Sequence, residues 1–167
     1  MGHVWLIGMM GSGKTSVGRL LAERLESPFY DTDATVEANA GLTVAEIFDG
    51  LGEPRFRELE GLAVRAIASQ DDGVVSTGGG IVLDSSNVDF MRESGTTVLL
   101  DADVETLVAR IGAAADRPLI SGDPKRRLRE IASARADAYE KAADLVVDAT
   151  CSIEHVANRV EAACSDS

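Results

Sequence analysis

The chain has 167 residues, 45% of them hydrophobic and 26% charged, a balance that suits one compact domain with a sizeable core. A formal net charge of −12 argues against a general nucleic-acid or anionic-membrane surface. No apolar run approaches the roughly 18 to 20 residues that span a bilayer, and no basic and apolar leader opens the chain, so the expected address is the cytoplasm.

Taken in chain order, "HVWLIG" (3–8) predicts a strand and residues 14–25 a helix. "PFYDTD" (28–33) predicts a short strand, and residues 34–50 helical turns with a capping box at Thr43 and Glu46. A helix over 54–69, a strand in "GVVSTGG" (73–79), a helix over 85–93 and a strand in "TTVLLDA" (96–102) follow. Helices over 103–112 and 125–142, a strand in "DLVVDA" (144–149) and a helix over 152–164 complete the pattern. Five apolar strands alternating with helices predict an α/β domain over 1–167, a parallel sheet covered on both faces. Between Ile111 and Lys125, "GAAADRPLISGDP" is too long for an ordinary connection and reads as a mobile lid, about 112–124.

Cys151 and Cys164, thirteen apart on what reads as the last helix, cannot pair with each other. His3 and His155 are far apart and belong to no CxxC or HExxH pattern, which speaks against zinc. Thirteen arginines stand against three lysines, and Lys14 is the only lysine before Lys125. Guanidinium is the better group for planar, bidentate anions, although genomic composition bias explains the ratio equally well.

"GMMGSGKT" (8–15) fits GxxxxGK[ST] between a predicted strand and a predicted helix. Backbone N–H groups and a helix N-terminus then surround a phosphate, Lys14 reaches the β- and γ-phosphates, and the Thr15 hydroxyl suits the Mg²⁺ that accompanies a nucleoside triphosphate. A P-loop does not choose among kinases, GTPases and motors, so the acceptor must be read elsewhere. "DTD" sets Asp31 and Asp33 at the end of the second predicted strand, one carboxylate for the metal and one for an acceptor hydroxyl; helix capping by Asp33 is the alternative. "FRELE" puts Arg57 and Glu60 on one helix face, as a braced guanidinium or a solvated surface pair. "TGGG" leaves Gly78, Gly79 and Gly80 open to a ligand, or forms a plain tight turn.

Together, "GMMGSGKTSVG", "DTD", "TVAEIF" followed by "GEPRFRELE", "STGGG", "RPL" and "RADAYEKAAD" resemble the shikimate kinase family along nearly the whole chain. The resemblance implies an adenylate-kinase-like P-loop kinase fold with strand order 2-3-1-4-5 and a mobile lid. It implies transfer of the γ-phosphate of ATP to the 3-hydroxyl of shikimate, on the way to chorismate and the aromatic amino acids. It further implies that Asp33, Arg57, Gly79, Gly80 and Arg135 contact shikimate, within a helical region of about 33–61 and beyond it. Gly11, Ser12, Gly13, Lys14, Thr15 and Ser16 would hold the phosphates and Mg²⁺, with Asp31 reaching the metal through water. Arg117 would fold over the phosphates from the lid, Arg110 would flank the adenine, and Lys14, Asp33 and Arg117 would carry the catalysis.

The expected partners are shikimate and ATP, with no nucleic acid, no membrane and a monomeric chain. Members often carry Asn-Arg after the triple glycine, whereas here Val88 follows Asn87, and acidic residues surround Arg117 in "ADRPLISGD". Another P-loop small-molecule kinase, acting on gluconate or a nucleotide, is disfavoured by two arginines that suit a compact carboxylate and by an aromatic content of 4%. A catalytically silent binding protein is disfavoured because every expected chemical group is present.

Overall fold

The computed structural model describes residues 2–113 and 123–165. Arg117 and most of the expected lid lie outside the described residues. The described elements are β1 (His3–Ile7), α1 (Lys14–Arg24), β2 (Phe29–Asp31), α2 (Thr32–Ala40), α3 (Val44–Leu51), α4 (Glu53–Ala68) and β3 (Val74–Ser76). After a 3-10 turn (Ile81–Leu83) come α5 (Ser85–Ser94), β4 (Gly95–Asp101), α6 (Val104–Ala113), α7 (Pro124–Ala142), β5 (Leu145–Asp148) and α8 (Ile153–Ser165). The strands form one parallel sheet in the order β2-β3-β1-β4-β5, as expected.

The period-2 geometry of β1 divides the core. Val4 and Leu6 face Val17 and Leu21 of α1 and Val156 and Val160 of α8. Trp5 and Ile7 face the opposite side, with Val64 and Ile67 of α4, Met91 of α5, Leu107 of α6 and Leu128 of α7. A third, smaller cluster joins Val36 of α2, Ile47 of α3 and Phe56 and Ala63 of α4, and so anchors the helical region beyond β2 to the long helix α4. No helix among the described residues is long and apolar enough to cross a membrane.

Several boundaries differ from those predicted. The stretch expected to be helical over 34–50 is two helices, because α2 closes on Gly41 in the left-handed region (φ 68) and α3 restarts from the Thr43 and Glu46 capping box. β2 ends at Asp31, whose carboxylate accepts the N–H groups of Asp33 (3.0 Å) and Ala34 (3.2 Å). Asp33 therefore sits in the first turn of α2 and not at the end of a strand, and the helix cap is Asp31. β3 stops at Ser76, since the Thr77 N–H and hydroxyl both turn back to the Leu6 carbonyl, at 3.2 and 2.9 Å, and "GGG" leaves the sheet. Cys151 precedes α8 instead of lying on it, and both cysteines are free thiols.

Candidate active site

The C-terminal ends of β1, β2 and β3 meet at one edge of the sheet, where ligands of open α/β folds bind. From β1 the chain runs into the phosphate loop. Gly13, the N-cap of α1, adopts φ 94, which a side chain would resist, and so aims the first free N–H groups of the helix into the loop. Lys14 is only 8% exposed, and its Nζ donates to the Gly8 and Met9 carbonyls at 2.8 and 2.9 Å. The ammonium is thus held inside the cradle. Gly11 and Ser12 complete the loop, and Ser16 is exposed on the first turn of α1.

Beside the loop, Thr15 Oγ1 lies 3.4 Å from Asp31 Oδ2 and 3.1 Å from Ser76 Oγ. Three hard oxygen donors on β2, β3 and α1 suit Mg²⁺, which prefers one or two protein oxygens and takes the rest from water and phosphate. Among the described residues there is no group of three or more His, Cys, Asp or Glu side chains that could hold a metal ion.

Across from the loop, the triple-glycine turn is the floor of a second pocket. Gly78 donates to the Thr32 hydroxyl at 2.9 Å. The point where a Gly78 side chain would begin is 2.8 Å from Glu60 Oε1 and 2.9 Å from Asp33 Oδ1, so both carboxylates bear on the same peptide. Gly80 lies directly against the Arg57 guanidinium, with Cζ 2.6 Å from where its Cβ would be. For Gly79 the neighbours are Arg135 Nη1 at 3.4 Å and the Gly8 carbonyl of the phosphate loop at 3.6 Å. Phosphate loop and second pocket therefore adjoin.

Arg57 and Glu60 are not a solvated surface pair. Glu60 is 1% exposed, its Oε2 accepts Arg57 Nη1 at 2.8 Å, and Glu53 accepts Nη2 at 3.2 Å. Burial alone acts to lower the pKa of Arg57, but hydrogen bonds and charge from Glu60 and Glu53 outweigh it and leave the guanidinium above its usual value. Burial raises the Glu60 carboxyl above the ordinary range, with Arg57 pulling it back. Its Oε1 has no donor among the described residues. The result is a cation fixed in direction at the pocket, partly shielded from water, as a carboxylate ligand requires.

Arg110 lies on the far side of the phosphate loop. It donates to the carbonyls of Gly11 (3.3 Å) and Ser12 (3.4 Å), and to those of Ala149 (2.6 Å) and Cys151 (3.2 Å) after β5. It ties the loop to the β5–α8 connection. Val88 packs into the core, and Asn87 is buried with its amide on the Ile81 carbonyl at 3.3 Å. Thr32 and Ser76 went unread in the sequence; each lies inside a segment singled out for other residues.

The comparisons with known proteins agree with this geometry. The family model described as shikimate kinase matches residues 10–165. A shikimate kinase of Symbiobacterium thermophilum is 51% identical over 144 residues, covering 84% of this chain and 83% of the relative. One of Chromobacterium violaceum is 42% identical over 150 residues, 89% of this chain and 82% of the relative. The solved shikimate kinase of Acinetobacter baumannii in complex with shikimate superposes with a TM-score of 0.93 at 30% identity, covering 99% of this chain and 94% of that one. A gluconokinase of Sinorhizobium meliloti covers 99% of this chain and 92% of its own at a TM-score of 0.63, but its 17% identity extends only to the fold. A family match spanning almost the whole chain, joined to a phosphate loop that adjoins an arginine-braced triple-glycine pocket, shows that this chain belongs to the shikimate kinase family.

Proposed function

We propose that the chain transfers the γ-phosphoryl group of ATP to the 3-hydroxyl of shikimate, as a single domain over 1–167 acting as a monomer in the cytoplasm. The observation that carries this reading is the adjacency of the Gly8 carbonyl to Gly79, which brings the phosphate loop against a pocket holding Asp33, Arg57 and Arg135. Shikimate is a compact carboxylate with three hydroxyls, and it calls for guanidinium at one end and a hydrogen-bond acceptor at the other. Arg57 and Arg135 serve the carboxylate, Gly79 and Gly80 offer backbone N–H groups, and Asp33 takes the proton of the attacking hydroxyl or orients it.

Gly11, Ser12, Gly13, Lys14, Thr15 and Ser16 hold the nucleotide phosphates, and Lys14 exchanges its carbonyl partners for phosphoryl oxygens as negative charge spreads over them. Thr15 would hold Mg²⁺ directly and Asp31 through water, and the bound ion would supply neutralisation of the charge on the transferring group. Arg110 flanks the adenine. Arg117, outside the described residues, supplies a second cation over the phosphates from the segment that closes the site, which keeps water from competing as acceptor.

The methyl ester of shikimate tests the reading. It keeps the ring and all hydroxyls but leaves two guanidinium groups facing a weak neutral acceptor, so kcat/KM should fall by at least roughly 10²-fold. An ester phosphorylated as well as the acid would mean that Arg57 and Arg135 do not read a carboxylate, and a neutral polyol would become the better substrate.

A further inference from the structure

We infer that Tyr139 is a positioning residue for the acceptor pocket: beside Arg135, it holds the Gly79–Gly80 peptide in the orientation that binds shikimate. The inference rests on the substrate reading above.

Tyr139 is 5% exposed on α7, and its ring belongs to the core cluster that includes Val82, Leu128 and Ala142. Its hydroxyl reaches out of that core and donates to the Gly79 carbonyl, 60 residues away in sequence. Arg135 lies one turn earlier on the same face of α7. Both side chains end at Gly79, where the point of a would-be Cβ is 3.4 Å from Arg135 Nη1 and 3.6 Å from the Tyr139 oxygen. Burial raises the phenol above its usual pKa, with nearby Arg135 acting in the opposite direction, so at neutral pH the group is a protonated donor.

The link to substrate runs through peptide geometry. No peptide bond among the described residues is cis, and in a planar trans peptide the C=O of one residue and the N–H of the next point in opposite directions. Fixing the Gly79 carbonyl toward α7 therefore turns the Gly80 N–H away from α7, in a residue that also packs against the Arg57 guanidinium. Thr32 pins the other end through the Gly78 N–H at 2.9 Å. Among the described residues the N–H groups of Gly79 and Gly80 donate to no protein acceptor, which leaves both for a ligand. Three consecutive glycines have little intrinsic resistance to a peptide flip. The Tyr139 hydroxyl supplies that resistance from outside the turn.

Tyr139→Phe tests this with a matched control. Tyr30, the other tyrosine, donates to the Asp71 carbonyl at 3.1 Å, before β3 and so at the opposite edge of the sheet, and Tyr30→Phe removes a more exposed tyrosine–carbonyl bond remote from the pocket. Shikimate affinity without nucleotide is read by calorimetry, and KM for each substrate by a coupled assay. Tyr139→Phe should fold, weaken shikimate binding and raise its KM by roughly 10-fold, the scale of one lost hydrogen bond to a buried carbonyl. KM for ATP should stay within about twofold. Tyr30→Phe should change neither constant. p-Aminophenylalanine in place of Tyr139 keeps the ring and restores a donor, so it should recover most of the lost affinity.

Unchanged shikimate affinity in Tyr139→Phe, equal losses for shikimate and ATP, the same loss in Tyr30→Phe, or failure of the Tyr139→Phe chain to fold would each overturn the inference. A wild-type chain that binds no shikimate would refute the substrate reading as well; wild-type binding with an unaltered Tyr139→Phe refutes the positioning role alone.

Discussion

Adding one methyl group at Gly80 should weaken shikimate binding far more than adding the same group at Gly79. Gly80 adopts φ −98 and ψ 2, a conformation open to alanine, so the effect of Gly80→Ala is one of space and not of backbone strain. Its Cβ would sit 2.6 Å from Arg57 Cζ, closer than real carbon atoms approach. Arg57 must move, and moving takes it from Glu60 at 2.8 Å and Glu53 at 3.2 Å. Turned from its braces, the guanidinium no longer meets the substrate carboxylate, and one charge-assisted hydrogen bond lost to the ligand costs about 2 to 3 kcal/mol, or roughly 30- to 150-fold in affinity.

At Gly79 the same methyl group meets Arg135 Nη1 at 3.4 Å and the Gly8 and Tyr139 oxygens at 3.6 Å, which is ordinary contact. Gly79→Ala should therefore stay within about threefold of wild type. Calorimetric titration with shikimate in the absence of nucleotide separates the two, and thermal unfolding checks that both variants fold. Equal losses at the two glycines, or none at Gly80, would show that the direction of Arg57 does not govern substrate affinity.

Lys14→Met should abolish measurable turnover while leaving the fold, since it deletes the cation held at 2.8 Å from the Gly8 carbonyl inside the phosphate loop; near-normal ADP release would contradict the nucleotide assignment. Asp33→Asn should lower kcat by roughly 10²-fold or more, and a change confined to the KM for shikimate would make Asp33 a binding group only. Glu60 carries a pH signature. Because burial raises its native pKa while Arg57 only partly offsets this, the folded chain holds that proton more tightly than the unfolded chain. Its contribution is fully present below the usual glutamate value near 4.5 and is lost as pH rises through the raised native value. The unfolding free energy of wild type relative to Glu60→Gln, from urea titrations, should accordingly decline as the pH rises from about 4.5; a difference that grew would reverse the assigned sign.

What could be read in the sequence was what depends on neighbours along the chain. The phosphate loop is contiguous, so its spacing between strand and helix was legible, and the i, i+3 spacing of Arg57 and Glu60 was enough to suggest a brace. That spacing could not tell a brace from a surface pair, because the burial of Glu60 depends on the turn at Gly78, eighteen residues on. The helical reading of 34–50 runs through Gly41, whose left-handed backbone separates two helices. The order of "DTD" assigns Asp31 to the metal and Asp33 to the acceptor but leaves capping by Asp33 open; the cap geometry gives that role to Asp31, and the contact with Gly78 puts Asp33 at the pocket. Thr32 and Tyr139 act on Gly78 and Gly79 from 46 and 60 residues away, and nothing local marks either as more than a helix residue. The strand order, too, came from family resemblance, since alternation alone predicts a parallel sheet and not its sequence of neighbours.

The most direct test of the central claim is ADP release by the purified chain with ATP and Mg²⁺, measured in parallel with shikimate, gluconate and nucleoside monophosphates as acceptors, with the shikimate product located by phosphorus NMR. Release should be rapid and saturable with shikimate alone, should yield a single phosphate ester on the 3-hydroxyl, and should slow by roughly 10²-fold or more in Asp33→Asn. Turnover with gluconate or a nucleotide at a comparable rate, or phosphorylation at another hydroxyl, would contradict the claim.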